Sequence, residues 1–247
     1  MNGIAERLAL VQERIAAAAQ RSNRRAEEIL LVGVTKTHPA EVVRAALAAG
    51  LHDVGENRVQ EAEAKIMALA VERSRLTWHL IGHLQTNKAK KAVALFDLIH
   101  SVDSLRLAQA LDRHAGEQGR RLPVLLQVNV SGEATKEGFD LAGWQEQPAI
   151  FEQFVGGVEQ ILALPQIAVR GLMTIAPWGV DPEAARPTFR ATRRLRELLA
   201  RRFPAAEWTD LSMGMTDDFE VAIEEGATIV RVGRAIFGER GTVSGER

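Results

Sequence analysis

Residues 29–39 read ILLVGVTKTHP, and this stretch decides the fold. From Ile29 to Thr35 the residues are apolar or β-branched around one glycine, with no polar alternation. Such a short run suits a strand buried on both faces. It ends in Lys36, and Pro39 follows, a residue suited to the first turn of a helix. A lysine at the carboxyl end of a buried parallel strand points toward the mouth of an α/β fold, where such folds place their chemistry. The plain alternative is a surface lysine that closes a strand.

Outward from this stretch the chain alternates. Strand-like runs recur at 52–55, 76–81, 96–101, 122–130, 168–175, 208–213 and 227–231. Helical patterns lie between them, at 39–49 with Gly50 as its C-cap, from 55 onward, at 85–94, at 104–118, up to about 164, and at 187–202. A further helix is expected near Asp217, with Glu220 at capping-box spacing. The segment with Gly132 and Gly138 reads as a loop, and residues 1–25 as an amphipathic helix. Eight β/α units without a composition break predict the α/β class and a single (β/α)8 TIM barrel with an extra N-terminal helix. The 247 residues match the roughly 250 that such a barrel takes, so one domain is expected over 1–247. A doubly wound sheet is the second choice.

Composition narrows the function classes. No run approaches the roughly 20 apolar residues of a membrane span. Glu6 and Glu13 interrupt the N-terminal segment, which lacks the form of a signal peptide. Cysteine is absent, so disulfides and thiolate metal sites are excluded, and a cytoplasmic location fits. A net charge of −1 gives no general pull toward nucleic acid.

Two ends of the chain then converge on one chemistry. After the last strand run comes Arg231-Val232-Gly233-Arg234, where a glycine lets the backbone approach a ligand and a following helix offers N–H groups to a phosphate. A packing turn with glycine at a strained dihedral is the competing reading. Ser212 closes the preceding strand, and its hydroxyl could donate to a phosphate oxygen or simply cap a turn. In a barrel the first and eighth strands are neighbours, so Lys36 would face this cradle. A lysine opposite a phosphate site is what a phosphorylated aldehyde requires, and pyridoxal 5′-phosphate (PLP) is the natural candidate. Other patterns carry less. VTKT lacks the glycines of a P-loop. His79 and His83 have zinc-pair spacing, but on a strand entering a glycine turn. The basic residues around Lys88–Lys91 and Arg190–Arg202 read as solvated helix faces. Lys136 could take a second aldehyde or phosphate, although a surface role weighs more.

Taken together, VGVTKTHP, GENRVQE, WHLIGHLQTNK, VNVSGEATKEGF, GLMTIAP and LSMGMTDDFEVAIEEGATIVRVGRAIFGER span residues 32–240 in order. The set resembles the pyridoxal phosphate homeostasis protein family, which shares the alanine racemase N-terminal barrel, a fold-type III PLP-binding barrel. The resemblance implies that Lys36 holds PLP as a Schiff base and that Arg231 faces the pyridine nitrogen. It implies that the N–H groups of Gly233 and Arg234, with Ser212, hold the phosphate, and that Asn57 and Met173 border the ring. It also implies a cofactor carrier or regulator without established turnover, acting in intracellular PLP homeostasis.

Residue supply favours that implication over catalysis. An arginine stays protonated and can only donate, so the ring nitrogen facing it remains an acceptor and the ring a poor electron sink. A two-base racemase of the alanine type needs a tyrosine, and the chain has none. A PLP-dependent amino-acid enzyme, a single-base racemase or lyase, is the alternative, and an aldolase-like lysine acting on a sugar phosphate a remote third. As a carrier the chain would meet PLP-dependent apoenzymes, with no nucleic acid or membrane partner, and would be a monomer because a barrel closes its own sheet.

Overall fold

The structure is a computed structural model. It describes residues 2–238 apart from 134, 178 and 180. Nine strands are present among these residues: β1 (Leu30–Val34), β2 (Asp53–Glu56), β3 (Thr77–Leu80), β4 (Leu98–Val102), β5 (Leu122–Asn129), β6 (Phe139–Asp140), β7 (Ile167–Met173), β8 (Asp210–Ser212) and β9 (Ile229–Val232). Eight of them form a ring in the order β1-β2-β3-β4-β5-β7-β8-β9 and back to β1, with every pairing parallel. This is the closed (β/α)8 barrel that the alternation predicts.

The helices are α1 (Asn2–Arg21), α2 (Ala40–Ala48), α3 (Val59–Ala68), α4 (Ala89–Leu95), α5 (Leu105–Glu117), α6 (Pro148–Leu162), α7 (Arg186–Arg202), α8 (Phe219–Glu224) and α9 (Arg234–Phe237). Where they begin follows local chemistry. The Ser104 hydroxyl accepts from the Leu107 N–H at 3.3 Å and starts α5. At α3 the expected helix from 55 starts later, because Gly55 and Glu56 pair with His79 and Leu80 of β3. The capping box at Asp217 and Glu220 does not form. Helix α8 starts at Phe219, and both carboxylates pair with arginines brought in from elsewhere.

Strand β6 replaces part of the expected loop. Gly138 has φ +121°, and a Cβ there would lie 2.9 Å from the Gln127 carbonyl oxygen. Only glycine takes that backbone shape at that distance, and it lets Phe139 and Asp140 run beside Val128 and Asn129.

The core has two compartments. The larger lies between strands and helices and holds Trp78, Phe96, Phe189 and Phe219, all fully buried. The smaller fills the barrel interior with Val32, Leu98, Leu125, Met173 and Ile229. Helix α1 adds Leu8, Val11 and Ile15 to the outer core, packing on α8 and α9. Among the described residues no helix is long and apolar enough to cross a membrane.

Candidate functional site

A cavity of about 430 Å³ opens where β1 and β9 end side by side. Its wall contains Lys36, Arg231, Gly233 and Arg234 from the expected set. It also contains His38 and the loop Met215–Asp218. Parallel pairing explains the meeting of residues so distant in sequence. Val32 is level with Arg231 and Gly33 with Val232, so the residues after both strands share one mouth.

Lys36 sits between two anchored neighbours. The Thr35 hydroxyl donates to Glu56 Oε1 at 2.5 Å, and its carbonyl accepts from Lys65 Nζ at 2.6 Å. Lys65 also bonds Glu56 at 2.7 Å and Glu61 at 3.1 Å. On the other side the Thr37 N–H donates to Glu61. Thr37 has φ +67°, a shape that costs a β-branched residue energy and persists only where surroundings impose it. Burial pushes the Glu56 carboxyl above its usual range, and the Lys65 ammonium pulls it back. The backbone that carries the lysine is thus clamped at both ends by one buried ion-pair group.

Arg231 is nearly fully buried and reaches the cavity from below. Its Nη1 donates to Ser212 Oγ at 2.6 Å and its Nη2 to the Thr174 carbonyl at 2.9 Å. Burial pulls its pKa down to about 10, against the opposing pull of Asp218, so it remains a cation at neutral pH. Beyond Ser212 the contacts continue through the barrel. Ser212 Oγ meets His100 Nδ1 at 2.9 Å, His100 Nε2 meets His79 Nδ1 at 2.9 Å, and His79 Nε2 meets Asp53 at 3.0 Å. Burial drives His100 well below the ordinary histidine value, with His79 and then Arg231 adding to the effect.

The third wall is the loop after β8. Gly214 has φ +93°, and a Cβ there would lie 2.6 Å from the Ala222 Cβ and 2.8 Å from the Phe219 Cα. A side chain would have to displace helix α8. The turn is closed by Asp218 Oδ1, which accepts from the Met215 N–H at 2.6 Å. Burial raises the Asp218 carboxyl, and that hydrogen bond opposes the rise. Thr216 brings a hydroxyl to the cavity. Sequence reasoning missed it, although it lies four residues after Ser212 in the same motif. Gly233 has φ −114°, so no left-handed dihedral calls for glycine there. A Cβ would lie 3.3 Å from the Val34 carbonyl oxygen, a close approach between the two strand ends. The Arg234 guanidinium bonds Asp217 at 2.5 and 2.7 Å.

Three expected residues lie elsewhere. Ser212 is fully buried and outside the cavity wall, with Arg231 between it and the opening. Met173 is fully buried in the interior core. Asn57 lines a second cavity of about 240 Å³ with His83, Gln127, Lys136 and Glu137. Lys136 is therefore not an open surface lysine: its side chain is 14% exposed and pairs with Glu133 at 3.0 Å. His79 and His83 diverge, the first into the barrel and the second to Asp103 at 3.1 Å.

Comparison with known proteins fits this geometry. Residues 8–241 match the family model of the alanine racemase N-terminal domain. A pyridoxal phosphate homeostasis protein from Aquifex aeolicus is 46% identical over 95% of this chain and 97% of its own length. The structure of PipY from Synechococcus elongatus PCC7942, with PLP bound, superimposes with a TM-score of 0.79 at 42% identity, covering 95% of this chain and all of that one. An alanine racemase from Clostridium difficile 630 shares the fold alone, with a TM-score of 0.69 at 14% identity over 58% of its length. The chain belongs to the pyridoxal phosphate homeostasis protein family, built on the alanine racemase N-terminal barrel.

Proposed function

We propose that this chain binds pyridoxal 5′-phosphate on Lys36 and buffers or delivers it within the cell, without turning over a substrate. PLP supplies an aldehyde that condenses with an amine and a dianionic phosphate that needs N–H donors. The cavity's donor set fits both ends. The observation that carries the reading is the convergence of Lys36, Arg231 and Gly233 on one cavity, Lys36 and Arg231 being 195 residues apart in sequence. Lys36 holds the aldehyde end. Arg231, donor-only and cationic, faces the ring nitrogen. The N–H groups of Gly233 and Arg234, with the Thr216 hydroxyl, hold the phosphate, while Ser212 acts on the site through Arg231.

A donor-only partner at the ring nitrogen disfavours the electron-sink chemistry of most PLP enzymes. The names of the relatives, homeostasis proteins without an enzymatic title, support the same reading. Delivery would make PLP-dependent apoenzymes the partners, and one barrel domain would carry the function. The test is titration of the purified protein with PLP, followed by absorbance, in wild type and Lys36→Ala. The wild type develops the band of a lysine-bound aldehyde and the variant does not, and neither converts any of a panel of amino acids. Turnover in that panel would support a racemase or lyase instead.

A further inference from the structure

The polar chain beneath the cavity has a fixed direction. Asp53, as a carboxylate, can only accept, so His79 must donate to it from Nε2. A neutral imidazole has one N–H, which leaves His79 Nδ1 as an acceptor. His100 must then donate from Nε2, and its Nδ1 accepts. The only hydrogen available there belongs to the Ser212 hydroxyl. That leaves the Ser212 oxygen to accept from Arg231, a group that can only donate. With both rings neutral, every bond points one way, from Arg231 to Asp53. For two neutral rings, the acceptor-only end and the donor-only end leave no second arrangement. The chain also crosses the barrel, because β4 and β8 are not neighbours in the sheet. It starts at the first residue of β2 and ends in the cavity wall.

We infer that Asp53, His79 and His100 are positioning residues for Arg231, drawing the Ser212 hydroxyl hydrogen toward His100 so that the Ser212 oxygen faces Arg231 as an acceptor and the guanidinium presents its remaining N–H groups to the ring nitrogen of the bound cofactor. This rests on the reading of the cavity as the PLP site. Ser212 and the Thr174 carbonyl fix two arms of the planar fork, and the plane follows from them. Each bond in a one-way chain polarises the next, so the acceptor offered to Arg231 is stronger than an isolated hydroxyl. Asp53 touches none of the cavity, yet it sets the direction of everything between.

Nitrogen-detected NMR of histidine-labelled, cofactor-free protein near pH 7.5 reads the chain directly. Nε2 of both His79 and His100 is expected to carry the proton and Nδ1 of both to accept. Asp53→Asn replaces the acceptor-only group with one that can also donate, so both rings should show mixed tautomers. The dissociation constant for PLP should rise about tenfold, the low end of what losing an orienting partner costs. That rise should vanish for a phosphorylated benzaldehyde analogue without a ring nitrogen, which Arg231 cannot favour. His100 protonated on Nδ1 in the wild type overturns the proposal. So does unchanged PLP affinity in Asp53→Asn, or an equal loss for the analogue. Ser212→Ala, which removes the acceptor itself, gives the same comparison of ligands if Asp53→Asn fails to fold. A Lys36→Ala variant that keeps the lysine-bound band would sink the site reading alone, because the tautomers are measured without cofactor.

Discussion

Lys65 shows how much of this site depends on residues that never meet the ligand. Its ammonium is buried between Glu56 and Glu61 and holds the carbonyl next to Lys36. Removing it leaves Glu56 without a cationic partner in a place where burial already disfavours the charge. Lys65→Met is expected to cost about 3–5 kcal/mol in urea unfolding, the usual penalty for breaking a buried pair from one side. Adding Glu56→Leu to it should recover part of that loss, since the stranded carboxyl is then gone.

His100 makes a second prediction at the same scale. Burial keeps it neutral in the fold, well below its ordinary 6.5, while the unfolded chain takes a proton there below about pH 6.5. The unfolded state then binds the extra proton, so stability falls as the pH drops below that value and is unaffected above it. The slope contributed is at most about 1.4 kcal/mol per pH unit. Asp53 and Asp210 face the neighbouring His79, and Arg231 faces His100 itself, so the comparison must be with a variant. His100→Gln should lose this part of the acid sensitivity in urea unfolding between pH 7.5 and 5.5. Equal slopes in the two proteins would contradict it.

Among the elements, α1 separates burial from surface charge. Leu8 is fully covered against the barrel, while Arg14 bonds Glu220 at 2.7 Å on an open face. Leu8→Ala is expected to cost about 2–5 kcal/mol and Arg14→Ala at most about 1 kcal/mol, read from urea unfolding. The element level also marks what could be read in advance. The eight barrel strands were legible from the regular alternation of strand-like and helical segments, and ILLVGV is the plainest of them. Strand β6 was not, because it depends on what Gly138 meets across a loop. Nor was the fate of Glu220, whose partners Arg14 and Arg21 lie about 200 residues away. Local spacing suggested a cap, and a long-range ion pair took the carboxylate. Ser212 carries the same lesson at the site. Its place at the end of β8 was legible, but its partner His100 is 112 residues distant across the barrel interior.

For the whole molecule, closure of the barrel makes the site. Only the β1–β9 pairing brings the lysine near one end of the chain against the glycine near the other. Family membership and the PLP-bound structure of PipY set the expectation for what fills the cavity. The wall contains Lys36 from beyond β1 and Gly233 and Arg234 from beyond β9, the groups on which the proposed binding rests. The most direct test is borohydride reduction of the PLP-loaded protein, followed by proteolysis and mass spectrometry. The account predicts one phosphopyridoxyl adduct, on the peptide containing Lys36. An adduct confined to Lys136 or another lysine, or no adduct at all, would contradict it.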